Sequence, residues 1–177
     1  DPHIPYFGND DLSAKIYCGW DEENLYVAAA LKDDIHANTN CGWKIWSGDC
    51  FQVAVDSQAD ASINKKTAYD ENDFEFGGAV NAKKEAQFYA WHGGKKLFPV
   101  KKFAAVRNGK SKTTIYEMSI PWKAMDIDAK SGKVIGFNFA VMDDDDGSGV
   151  SYWYQLTPGI AGNGKNPAAF RKFYLAE

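Results

Sequence analysis

The sequence predicts an all-β fold, an antiparallel β-sandwich of jelly-roll type with about ten strands and one short helical turn. Three observations carry that expectation. Apolar and polar residues alternate over short runs bounded by Gly, Asn, Asp and Ser, as in half-buried strands. No stretch holds a 3.6-residue apolar period for long. Asn108-Gly109 stands between two of the alternating runs, a strong short-range hairpin signal.

Along the chain, the expected strands are Ala14–Cys18, Leu25–Leu31, Cys50–Asp56, Asp73–Val80 and Ala86–Ala90. Phe103–Arg107 and Thr113–Ile120 flank Asn108-Gly109, and Ile135–Val141, Tyr152–Leu156 and Lys172–Leu175 complete the set. Only Pro121–Met125 reads as helix, about one turn, because proline suits the first helical position. Cys50–Asp56 alternates like a strand with one buried face, and Trp46 precedes it across a Ser47-Gly48 turn. An indole outside the alternation has no evident place in the core and is a candidate to face a ligand. No internal repeat, linker-like stretch or composition shift interrupts residues 1–177, which read as a single domain.

The net charge is −4, and Asp143-Asp144-Asp145-Asp146 concentrates negative charge in one run. That balance excludes nucleic acid and anionic membranes as expected partners, since both attract basic surfaces. No run is apolar and long enough to span a bilayer, and no signal peptide is recognisable. The chain opens at Asp1-Pro2-His3 as a processed or excised domain would, and a secreted monomer is expected. Six Trp, nine Tyr and eleven Phe exceed the needs of a core this size, which puts some of them at the surface. Cys18, Cys41 and Cys50 form no Cys-x-x-Cys pair, and their odd number leaves at least one thiol free. Cys18 and Cys50 read as small buried hydrophobes, and Cys41 as available for one bridge.

Two loops carry more chemistry than a connection needs: Asp34–Ser47, with Asn38, Asn40, Trp43 and Trp46, and Pro158–Pro167, rich in Gly and Asn. The run from Asp143 to Asp146, followed by Gly147, reads either as a solvated turn or as a hard-oxygen site for Ca²⁺. Asp143 and Asp145 can point the same way, with Asp146 completing the expected metal set. Asp70-Glu71-Asn72-Asp73 reads as a turn and strand entry. His3, His36 and His92 are far apart, so no transition-metal site is expected.

Four stretches in order resemble carbohydrate-binding module family 9: "GWDEENLYVAAALKDD" (19–34), "WSGDCFQVAVD" (46–56), "YEMSIPWKAM" (116–125) and "GFNFAVMDDDDGSG" (136–149). The likeness runs from about Ala14 to the C-terminus. The strands that open the family's pattern, with an Asp-Gly turn and a Trp, have no counterpart before Asp10. The resemblance implies a β-sandwich with structural calcium that binds sugar ends between two tryptophans. It places Trp46 at one of those positions, with Asp49 and Gln52 beside it to meet hydroxyls; a family member can carry Glu where Gln52 stands. The second family tryptophan has no equivalent in "GNGKNPAAF" (162–170), so Trp43 or Trp91 would supply a second ring, and Asn163 and Asn166 hydrogen bonds. Trp20, Trp122 and Trp153 sit in strand patterns and read as structural.

The function implied is non-catalytic binding of plant or microbial poly- or oligosaccharide, beside a glycan-degrading catalytic domain in the same parent chain. Three alternatives stand next to it. One is a glycoside hydrolase with paired carboxylates, although no Gly-x-Ser-x-Gly, His-Glu-x-x-His or phosphate loop occurs. Another is a sandwich that has lost sugar binding and serves as a spacer. The last is a haem-binding sandwich using Met142 and His92.

Overall fold

The computed structural model describes residues 7–65, 67–97, 101–162 and 164–176. Every expected strand is present, each within a few residues of its expected bounds: β1 (Leu12–Trp20), β2 (Asn24–Asp33), β3 (Cys50–Asp56), β4 (Asp73–Val80) and β5 (Ala86–His92), then β6 (Lys102–Asn108), β7 (Thr113–Pro121), β8 (Val134–Asp143), β9 (Tyr152–Gln155) and β10 (Arg171–Tyr174). One antiparallel sheet has the order β1-β2-β7-β6. The other has the order β10-β8-β3-β4-β5, with β9 pairing further along the β8 edge that β10 also uses. Among the described residues no helix is long and apolar enough to cross a membrane.

Strand alternation builds the core. Leu25, Val27, Ala29 and Leu31 of β2, with Tyr116, Met118 and Ile120 of β7, face Phe51, Val53 and Val55 of β3 and Phe74 and Phe76 of β4. The expected helical turn is a 3₁₀ turn at Trp122–Met125, and Trp122 is buried with its Nε1 donating to the Asp21 carbonyl at 2.8 Å. Trp20 packs against the core and donates from Nε1 to Ala176 O, which ties the C-terminal segment to the sheet.

The Asn108-Gly109 hairpin forms as expected, with Gly109–Lys112 as its loop, and two other readings need correction. The Asn108 side chain accepts from the amides of Lys110 and Ser111, and Lys112 turns the chain at φ 52°. Cys18 is exposed, because β1 is an edge strand, and all three cysteines are free. The largest change concerns β3. Its alternation suggested one open face, yet every residue from Cys50 to Asp56 is buried.

Two loops cover that outer face. Ile45, from a 3₁₀ turn at Gly42–Ser47, and Ile160, from the loop after β9, pack with Cys50, Ala54, Ala79, Ala140, Met142 and Phe170 into a second apolar cluster. A loop lying over a sheet must satisfy its backbone groups without a ladder, and buried amide side chains do so here. Asn38 Nδ2 donates to the carbonyls of Ile45 and Asp49 at 2.9 and 3.0 Å, and Asn38 Oδ1 accepts from Asn40 N. Gln155 Oε1 accepts from the amides of Ile160 and Ala161, while its Nε2 donates to Ala161 O. Gly48 lets the first loop close, since a Cβ there would stand 2.8 Å from Ala37 O.

Truncating Asn38 leaves buried carbonyls without donors. Asn38→Ala should cost about 1–3 kcal/mol in a urea titration, with the m-value unchanged.

Candidate functional site

Where the two loops meet over the sheet they leave a cavity of about 470 Å³. Its floor comes from adjacent strands: Gln52 of β3, Glu75 of β4 and Met142 of β8. Trp43 and Trp46 reach it from the 3₁₀ turn, Trp153 from β9, and Val150, Ile160, Ala161, Gly162, Gly164 and Lys165 close the far side. Trp91 comes from the end of β5. Glu75 pairs with His92 and Phe76 with Ala90, so Trp91 is the extra residue of a bulge; it stays on the outer face that Tyr89 also takes, opposite to Ala90. Its Nε1 donates to Trp43 O at 2.8 Å, locking the two indole-bearing segments together.

Trp43 is 55% exposed and Trp46 42%, whereas Trp91 and Trp153 are half-buried. The open rings therefore stand at the mouth and the covered ones deeper. The polar groups of the floor are almost wholly buried. Gln52 Oε1 and Glu75 Oε2 have no hydrogen-bond partner among the described residues, although their residues are 2% and 1% exposed. The other Glu75 oxygen accepts from Lys165 Nζ at 2.7 Å, and Lys165 also donates to Ile160 O at 2.9 Å. A cavity walled by indoles and floored by acceptors without donors suits a flat ligand with apolar faces and hydroxyl donors around its edge.

The structure brings Trp43, Trp46, Trp91 and Gln52 into one site and does not bring Asp49 there. Asp49 is buried beside Asp33 and His36, because the strand pleat turns it to the opposite side from Gln52's cavity and Ala37 N donates to its carboxylate. Asn166 does not line the cavity either: its backbone amide is tied to Gly159 O in the turn before β10. Asn163 lies outside the described residues. Trp153, read as structural, is a wall of the cavity. Glu75 and Lys165 escaped sequence reading; the trace of Glu75 was a lone carboxylate between Phe74 and Phe76, where a strand buried on both faces has no solvent for it.

A second constellation sits at the start of β3. Ligand atoms of Asp33, His36 and Asp49 lie within 4.8 Å of one another, as do those of Asp11, Asp143 and Asp145 and those of Asp33, Asp34 and Asp145. Asp33, Asp49, Asp143 and Asp145 each keep a buried Oδ1 without a partner among the described residues. Burial, reinforced by Asp33, pushes the Asp49 carboxyl up to about 9. Burial, reinforced first by Asp145, pushes Asp143 up to about 7. Arg107 offsets part of this charge through Nη1 on Asp33 Oδ2 at 3.1 Å. His36 Nε2 donates to Val80 O at 2.8 Å, which turns Nδ1 toward Asp33 Oδ2 at 3.3 Å and Asp49 Oδ2 at 3.6 Å. The donor set of clustered carboxylate oxygens fits a hard divalent cation. Asp146 is not part of it: it is exposed, and its carboxylate caps Ser148 N. The Asp70–Asp73 segment forms its own turn, with Asp73 Oδ2 accepting from Asp70 N.

Comparison with known proteins agrees with this architecture. An endo-1,4-beta-xylanase A of Thermotoga neapolitana is 31% identical over 137 residues, which are 75% of this chain and 11% of that enzyme. The chain thus spans about a ninth of the curated relative it matches. A family 9 carbohydrate-binding module of Caldicellulosiruptor kristjanssonii solved with cellotriose superposes with a TM-score of 0.75 at 18% identity, covering 98% of this chain and 80% of that one. The same module with glucose gives 0.74 at 18% identity, covering 97% and 81%. Residues 6–176 match the family described as carbohydrate family 9 binding domain-like, and the chain belongs to that family.

Proposed function

We propose that this domain is a non-catalytic carbohydrate-binding module whose ligand site is the indole-walled cavity over the six-stranded sheet. The carrying observation is the convergence of Trp43, Trp46, Trp91 and Trp153 on two buried acceptors without donors, Gln52 Oε1 and Glu75 Oε2. A pyranose offers what the cavity lacks: C–H faces for the rings and hydroxyl donors for the oxygens. Trp46 provides the most accessible platform, and Trp153 with Trp91 takes the part of a second wall in place of an aromatic in the last loop. Asp49 makes no contact with the sugar in this reading.

Cellotriose and glucose are bound by the solved modules of similar fold, so β-linked glucosyl chains are the first ligands to test. The likeness to a xylanase supports a parent chain that degrades glycans outside the cell. Tethering would then raise the enzyme's concentration at its substrate, an effective-concentration effect that needs no chemistry from this domain.

Calcium has a structural place in the same reading. Asp33, Asp49, Asp143 and Asp145, with Asp11 and Asp34 nearby, would hold it, and it would neutralise carboxylates that otherwise repel one another. Asp49 follows Trp46 by three residues, and Asp143 adjoins Met142 of the cavity floor. A cation there would stiffen both segments that shape the cavity.

Trp46→Ala should weaken cellotriose binding at least tenfold by isothermal titration calorimetry while Tm moves by less than about 3 °C. A large fall in Tm would assign the ring to packing instead. Release of reducing sugar from cellulose or xylan by the pure domain, abolished by removing one carboxylate, would overturn the non-catalytic reading. For calcium, a hundredfold excess over Kd at pH 8 should raise Tm by about 5–10 °C over the chelated protein. The gain should shrink at pH 5. Asp49 and Asp143 titrate in the fold well above their ordinary value of 3.8, so the folded protein holds protons that the unfolded chain has released. Without a cation, stability therefore falls as pH rises from about 4 toward 9. Calcium replaces those protons and acts most where they would be lost.

A further inference from the structure

Resting on the sugar-binding reading of the cavity, we infer that Glu75 makes the site selective for neutral sugars and excludes those bearing a carboxylate.

Glu75 enters the cavity from β4, a strand whose every residue is buried, and is itself 1% exposed. Its side chain is almost wholly buried, so its charge is screened less than a surface charge would be. Lys165 engages one carboxylate oxygen. It is the more exposed partner, with a side chain 41% accessible against 2% for Glu75. Lys165 also lines the cavity, and its ammonium offsets part of the Glu75 charge from that side. The second oxygen, Oε2, has no partner among the described residues. Gln52 Oε1, on the neighbouring strand, is a second buried acceptor in the same state. The Tyr69 hydroxyl beside Glu75 adds no compensating charge: burial, with the Glu75 charge next, pushes its pKa up and keeps it neutral.

Two floor oxygens, one of them on an anion, therefore lack donors beside the Lys165 ammonium and the Gln52 amide nitrogen, and a bound group must bring donors to satisfy them. Two adjacent hydroxyls of a pyranose can donate to Gln52 Oε1 and Glu75 Oε2 together. A uronic acid brings a second anion into a site walled by indoles, where like charges interact strongly, and its carboxylate cannot donate. Rejection of acidic glycans follows from the repulsive element rather than from any poorer fit of the ring.

The test compares glucose-ended and glucuronic acid-ended β-1,4-linked trisaccharides by isothermal titration calorimetry at pH 7. The parent should bind the acidic ligand at least tenfold more weakly. Glu75→Gln removes the charge but retains an acceptor, and should narrow that ratio to within about threefold. Lys165→Gln leaves the Glu75 charge without its neighbour and should widen the ratio. Because each ratio is taken within one variant, a general loss of affinity cannot imitate the result, and Lys165→Gln provides the reading if Glu75→Gln does not fold. Equal affinities for both sugars in the parent, or ratios that neither variant moves, would overturn the role of Glu75. Binding of neither sugar by the parent would instead overturn the sugar-binding reading on which it rests.

Discussion

The structure turns on how two loops stay bonded while lying across a sheet. Backbone groups removed from water need partners, and loops over the outer face of β3, β4 and β8 have no neighbouring strand to supply them. Asn38 and Gln155 fill that role from opposite sides, each using both ends of its amide. Asn138 repeats the device at Thr157, donating to its carbonyl and accepting from its amide. With the loops pinned in this way, a second apolar cluster forms over the sheet and the cavity is left at their junction. The aromatic walls are a consequence of that anchoring, since Trp43 and Trp46 lie on a turn whose Ile45 carbonyl Asn38 holds.

Charge is distributed with the same division of labour. Acidic groups crowd around Asp33, Asp49 and Asp143 on one side of the strand ends, while the cavity keeps a single anion on its floor. The two sets are joined through the chain, not through contacts between them. Trp46 and Asp49 are three residues apart on either side of Gly48, and Met142 and Asp143 are adjacent on β8. In the proposed reading, a cation that ordered the acidic cluster would therefore also order the mouth and floor of the cavity, with no residue serving both.

Much of the fold was legible in the one-dimensional pattern. Period-two alternation identified the ten strands because a half-buried sheet imposes it locally, residue by residue. Trp46 stood out for the complementary reason: it broke that pattern at a turn. Where alternation misled was at β3. Gln52 and Ala54 look like a solvent face, and only the loops that return from distant parts of the chain make them interior. Trp153 was misplaced for a related reason, since a strand residue on a sheet edge can face a core or a cavity and its letter is the same in both cases.

The sequence by itself determined the class of fold, the strand order along the chain, the aromatic turn before β3 and the acidic run after β8, because each depends on neighbours a few residues apart. Only the tertiary structure decided that Trp43, Trp46, Trp91 and Trp153 share one cavity, that Glu75 faces them with Lys165 from 90 residues away, and that His36 and Asp49 belong to the acidic cluster. Those facts rest on strand pairing and two pinned loops. Such long-range geometry leaves almost no mark on the local pattern of residues.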